Sequence, residues 1–150
     1  MADEERTPDL PISWDEAREV VVVVLLASAV LRLLGPLAGF IDDRWGAFSD
    51  DVAELTRNAS PTTGLMVLAA GVLIATTPRN AVVPSLRRAT VVVASIVLLE
   101  GVIAIGIELT RVSGAGVLGR LETIFSRFLP AVLFAGTGRW LAAKVVPFDD

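Results

Sequence analysis

The sequence predicts an all-α polytopic membrane protein: four transmembrane helices, a short amphipathic helix in the first external loop and another leading into the last span. Three observations carry this. Hydrophobic residues make up 53% of the 150 and the mean hydropathy is +0.66, above the roughly 45–50% apolar usage of a soluble domain. The surplus is gathered into blocks near the ~20-residue length that matches an ~30 Å hydrocarbon core. Within two of those blocks sit opposite charges, Arg32 between Val20 and Ile41, and Glu100 between Val91 and Ile107. A charge at mid-bilayer costs roughly 2.5–3.5 kcal/mol on insertion scales, so such a residue is expected to face a partner or a wet cavity.

Residues 1–12 carry Asp3, Glu4, Glu5 and Asp9 with Pro8 and Pro11 and lack an apolar period, which reads as a mobile acidic tail before one membrane-embedded domain, 13–150. Acids where a positive n-region belongs argue against a secretory signal. Ser13 followed by Glu16 matches a capping box, starting the first helix near Trp14. Its run of five valines, Val20 to Val24, favours a strand in water; in lipid a lone strand leaves its backbone unpaired, so helix wins. Gly35 and Pro36 are expected to kink its last turns.

The stretch from Asp42 to Pro61 is too charged to span, yet Phe48, Val52 and Leu55 recur at helical spacing, which predicts a short surface helix. Thr62 to Thr77 forms a second, short span between Pro61 and Pro78. A basic connection, Pro78 to Arg88, leads to a third span from Ala89 to Leu109. Ser113, Gly114 and Gly116 mark a turn. From Val117 the apolar positions Leu118, Leu121, Ile124, Phe125 and Phe128 oppose Arg120, Glu122, Thr123 and Arg127, the pattern of an interfacial helix. The fourth span runs from Phe128 to about Val146, interrupted by Pro130, Arg139 and Lys144.

Four crossings put Arg6, Arg18, Arg79, Arg87, Arg88, Arg139 and Lys144 on one side and fewer basic residues on the other. The positive-inside bias therefore places both termini in the cytoplasm. Trp14, Arg87, Arg88, Arg139, Trp140 and Lys144 are the expected interface anchors. Arg32 and Glu100 then lie at similar depth, roughly 17–20 Å from the inner face. Ser28, Gly35 and Gly39 share the Arg32 stripe, Gly101 and Ala104 flank Glu100, and Gly71 with Ala75 fits the small-xxx-small pattern that lets membrane helices approach closely. The expected contact is an Arg32–Glu100 ion pair that fixes helix register. Weighed beside it are a proton or cation site at Glu100 tuned by Arg32, an Arg32 that snorkels outward, and a Glu100 that faces another subunit.

The chain has no Cys and no His, which removes disulfides, thiolate chemistry and the commonest metal ligand and general base. No phosphate-binding loop, dinucleotide glycine pattern or nucleophile elbow is found. Metal, cofactor and catalysis are therefore not expected, and the net charge of −4 argues against nucleic acid. The single lysine and missing tyrosine suggest a prokaryotic, GC-rich source. The expected function is a non-enzymatic membrane component of accessory, scaffold or self-associating type in the plasma membrane. Its expected partners are the lipid bilayer and a membrane protein or further copies of itself; the alternative is a small proton- or cation-coupled carrier or channel using Glu100.

Overall fold

The computed structural model describes residues 13–42, 59–77, 84–110 and 116–144, with side-chain surroundings in the first helix given only up to residue 34. Every element among them is helical. They are α1 (Trp14–Asp42), α2 (Pro61–Thr76), α3 (Pro84–Thr110), α4 (Val117–Thr123), a π-helical turn (Ile124–Phe128) and α5 (Leu129–Lys144). By length and composition Pro84–Thr110 is the one described helix able to cross a membrane; Pro61–Thr76 is apolar but shorter. The acidic tail, residues 1–12, and the predicted surface helix around Phe48, Val52 and Leu55 lie outside the described residues.

The capping box at the start of α1 forms as the sequence requires: the Ser13 amide donates to Glu16 Oε2 at 3.0 Å, and the Glu16 amide donates to Ser13 Oγ at 3.2 Å. The helix continues through Gly35 and Pro36 to Asp42. At α2, Ser60 Oγ accepts from the Thr62 amide at 3.2 Å, while Pro61 occupies the first turn, where its missing N–H has no helical partner to lose. Arg87 and Arg88 belong to the first turns of α3 and not to the connection before it, because Pro84 opens that helix earlier than expected.

The amphipathic helix leads directly into the segment expected as the fourth span. Helical backbone runs from Val117 to Lys144 without interruption, widening into the π turn just before Pro130. In regular α-helix a proline ring collides with the carbonyl four residues back, here that of Ser126. A wider turn relieves that conflict without breaking the helix.

α2 is the centre of the bundle. It makes its most extensive contact with α5, and α1 and α3 also pack on it and on each other. A Cβ added to Gly64 would come within 2.7 Å of the Ala131 carbonyl oxygen, and one on Gly71 within 2.5 Å of that of Gly138. Both pairs are offset by the same number of residues, so α2 and α5 run parallel. α3 opposes α5: Arg87 meets Ala142, Ser95 meets Arg139, and Gly101 lies against Val132.

The buried positions repeat every three and four residues in all four long helices. The stripes are Val22, Leu26 and Ala29 in α1; Thr63, Val67, Ala70 and Ile74 in α2; Thr90, Ala94, Val97, Gly101 and Ala104 in α3; and Ala131, Ala135, Gly138 and Ala142 in α5, with Gly64, Gly71 and Val93 buried beside them. A 3.5-residue repeat is the signature of left-handed helix packing. A second cluster, Ala59, Ala104, Ile124 and Phe128, closes the far end.

The expected amphipathic face is only partly used. Ile124 and Phe128 are buried, whereas Val117, Leu118, Leu121 and Phe125 are exposed. The antiparallel register explains the first two, since Val117 and Leu118 extend past the level of Thr110, where α3 ends.

The glycine contacts generate a graded expectation. Gly71→Ala and Gly138→Ala each force apart two backbones and should destabilise the protein by about 1–3 kcal/mol. Gly106→Ala meets nothing within 4 Å and should be neutral or slightly stabilising. Unfolding in a detergent titration measures this; equal effects at all three positions would contradict the α2–α5 contact.

Candidate functional site

The structure does not bring Arg32 and Glu100 together. Among the described residues the ion pair within 4 Å is Arg18 with Asp15, at 3.9 Å between two exposed side chains, and a surface pair of that kind contributes at most about 1 kcal/mol. Arg32 is exposed on α1 and Glu100 is half-buried on α3. Helix phase gives the reason. At about 100° per residue, Arg32 lies about 80–90° to one side of the Val22, Leu26 and Ala29 stripe, and Glu100 lies about 80° to the same side of the α3 stripe. Two helices running the same way turn such flanks in one rotational direction and not toward each other. Equal depth alone does not bring two side chains into contact.

The remaining packing residues divide. Gly71, Gly101 and Ala104 are buried in helix contacts, while Ser28 and Ala75 are half-buried. The small-xxx-small pair is thus only half engaged: Gly71 faces Gly138, one seven-residue step along from the contact of Gly64 with Ala131. Gly35 and Gly39 lie outside the residues whose surroundings are described. Sequence reasoning misses Gly64, Ala131 and Gly138; the signal available is their matched seven-residue spacing, Gly64 to Gly71 and Ala131 to Gly138.

The polar contacts that do join helices gather where α2 ends, α3 begins and α5 ends. Arg87 Nε donates to the Ala142 carbonyl at 2.7 Å and its Nη2 to the Ala143 carbonyl at 2.9 Å. These are among the last carbonyls of α5, which have no helical donor and carry the negative end of the helix dipole. The planar fork of arginine fits two successive carbonyls; a lysine offers a point charge. One turn or two deeper, Arg139 Nε donates to Ser95 Oγ at 2.9 Å, and the Ser95 hydroxyl in turn donates to the Val91 carbonyl at 2.8 Å. Lys144 Nζ lies 4.2 Å from the centre of the Trp140 ring, a cation–π contact.

Arg87 is therefore half-buried and acts as a clamp between α3 and α5, more than an interface anchor. Arg88, Arg139, Trp140 and Lys144 are exposed, as is Trp14. This end of α2, α3 and α5 carries four basic side chains and no acid among the described residues. The opposite end mixes Glu108, Arg120, Glu122 and Arg127.

Comparison with protein-family models, with curated proteins and with solved structures finds no match.

The clamp makes its own prediction. Arg87→Gln leaves the two α5 carbonyls without a charged donor, at a cost of about 1.5–3 kcal/mol, and hydrogen exchange should quicken in the last turn of α5 and the first turn of α3. Arg87→Lys should rescue little, because it cannot span both acceptors. Unchanged exchange in Arg87→Gln would show that the clamp does not hold the helix end.

Proposed function

We propose that this chain is a small multi-pass integral membrane protein of non-enzymatic accessory, scaffold or self-associating type, with four helices crossing the plasma membrane of a prokaryote and both termini cytoplasmic. One observation carries the reading: large aliphatic side chains cover the outside of the bundle, while small residues share its core with Val22, Leu26, Val67, Ile74, Val93 and Val97. Ala29, Ala70, Gly71, Ala94, Gly101, Ala131, Ala135, Gly138 and Ala142 are buried, while Val20, Val24, Leu31, Leu65, Val92, Leu99, Ile103 and Leu133 are exposed. A water-soluble bundle places its large aliphatics in the core and rarely exposes so continuous an apolar surface. Small residues at the contact and large ones outward suit a lipid surround, where helices associate by close backbone approach.

The short α2 spans about 24 Å at 1.5 Å per residue, which local thinning of the bilayer accommodates. The exposed hydroxyls of Ser126 and Thr137 donate back to carbonyls of the preceding turn, those of Glu122 and Leu133, so they would meet lipid with their donors satisfied. The end bearing Arg87, Arg88, Arg139 and Lys144 is read as cytoplasmic by the positive-inside bias.

A proton- or cation-coupled carrier is the second reading, and one observation favours it: no basic side chain among the described residues makes an ion pair with Glu100. A carrier needs a carboxylate that changes protonation near working pH. The carrier reading predicts that infrared difference spectra between about pH 5 and pH 8 contain a protonated-carboxylate band that Glu100→Gln removes; absence of that band would exclude the carrier.

Topology tests the first reading directly. Reporters fused after Asp150 and inserted at Asn80 should both read cytoplasmic, and one inserted at Ser49 external. An external C-terminus would exclude four crossings.

A further inference from the structure

We infer that copies of this chain associate head to tail in the membrane, Arg32 on α1 of one copy pairing with Glu100 on α3 of the next. The inference rests on the membrane-crossing reading above. Within one copy the two charges do not meet, and each sits on a flank open to the outside. Arg32 lies between the exposed Leu31 and Leu34, and Glu100 beside the exposed Ile96, Leu99 and Ile103. A charge among lipid-facing aliphatics needs a partner of opposite sign, or water. Neither Arg18 nor Arg139 supplies one: Arg18 is with Asp15 and Arg139 is with Ser95, about 140° around α3 from Glu100.

The two flanks complement each other. Arg32 stands 18 residues past the start of α1 and Glu100 16 past the start of α3, about 27 and 24 Å along their helices. With both helices entering from one side, the charges reach the same level. Because they project in the same rotational sense around the bundle, one copy presents the cation on one face and the anion on another. That is the geometry of a heterologous contact, in which each copy offers both halves and a ring can close. A two-fold dimer would need both charges on one face.

Mixing experiments distinguish pairing between copies from pairing within one. Full-length protein labelled with donor or acceptor dye is reconstituted in vesicles, and energy transfer between copies is read. Wild type should associate, and Arg32→Glu alone or Glu100→Arg alone should each lose association about tenfold, the loss of roughly one good ion pair. Mixing those two single variants should restore it, since the carboxylate introduced on α1 of one meets the guanidinium introduced on α3 of the other. The exchanged double variant, Arg32→Glu with Glu100→Arg, keeps every pairing and guards against misfolding of the singles: it should associate with itself and not with wild type. Free mixing of exchanged and wild-type chains, or no restoration on mixing the singles, overturns the proposal. Protein that stays in alkaline-washed membranes but shows no transfer overturns the pairing alone, whereas protein that washes out overturns the membrane reading with it.

Discussion

The rest of the bundle is built on how closely α2 and α5 approach. Gly64 against Ala131 and Gly71 against Gly138 place backbone on backbone, with no room for a Cβ on α2. If the bundle lies in lipid, as proposed, no hydrophobic drive pushes two apolar helices together, because tails and side chains are equally apolar, and the contact would be stabilised by the many short dispersion contacts that small residues permit. Once α2 and α5 are fixed in parallel, α3 can lie antiparallel to α5 with Gly101 under Val132. The Val22, Leu26 and Ala29 stripe of α1 then joins the core formed by Val67, Ala70, Ile74, Val93 and Val97.

That arrangement also decides what becomes of the charges. The register of α3 on α5 brings Arg87 to the last carbonyls of α5, so a residue that would otherwise only orient the chain also ties two helices together. The same packing leaves Arg32 and Glu100 off their buried stripes. On the membrane-crossing reading, two charges among lipid-facing aliphatics without a mutual contact are a cost to the single copy. Association between copies and a role for Glu100 in transport, as proposed, both begin from the same geometric fact.

Much of this fold is legible in the sequence, and the parts that are not share one cause. Helix positions follow from block length, from the Ser13–Glu16 box and from Pro61, since these are local signals. Faces are harder. A helix that is apolar all round carries no hydrophobic period to reveal its inner side, so the α2–α5 contact can be read only from the spacing of glycine and alanine. The small-xxx-small pattern is met by several pairs, Gly138 with Ala142 and Ser60 with Gly64 among them, so it does not single out the contact. The expected Arg32–Glu100 pairing fails for a related reason: depth along a helix is given by residue count, but direction around it depends on which stripe is buried. The continuity through Pro130 is hidden because a π turn depends on local crowding at Ser126, which no spacing rule announces.

Interspin distances in lipid nanodiscs read the α2–α5 contact itself. With the native chain free of cysteine, Thr76→Cys with Lys144→Cys, and Thr62→Cys with Lys144→Cys, give two spin-labelled pairs on exposed positions. The register of Gly71 with Gly138 sets Thr76 and Lys144 at nearly one level and Thr62 about 22 Å away along the helix axis. The Thr76 pair should therefore be much the shorter. A shorter Thr62 pair would mean that α2 and α5 run in opposite directions, and the small-residue contact on which the bundle depends would not exist.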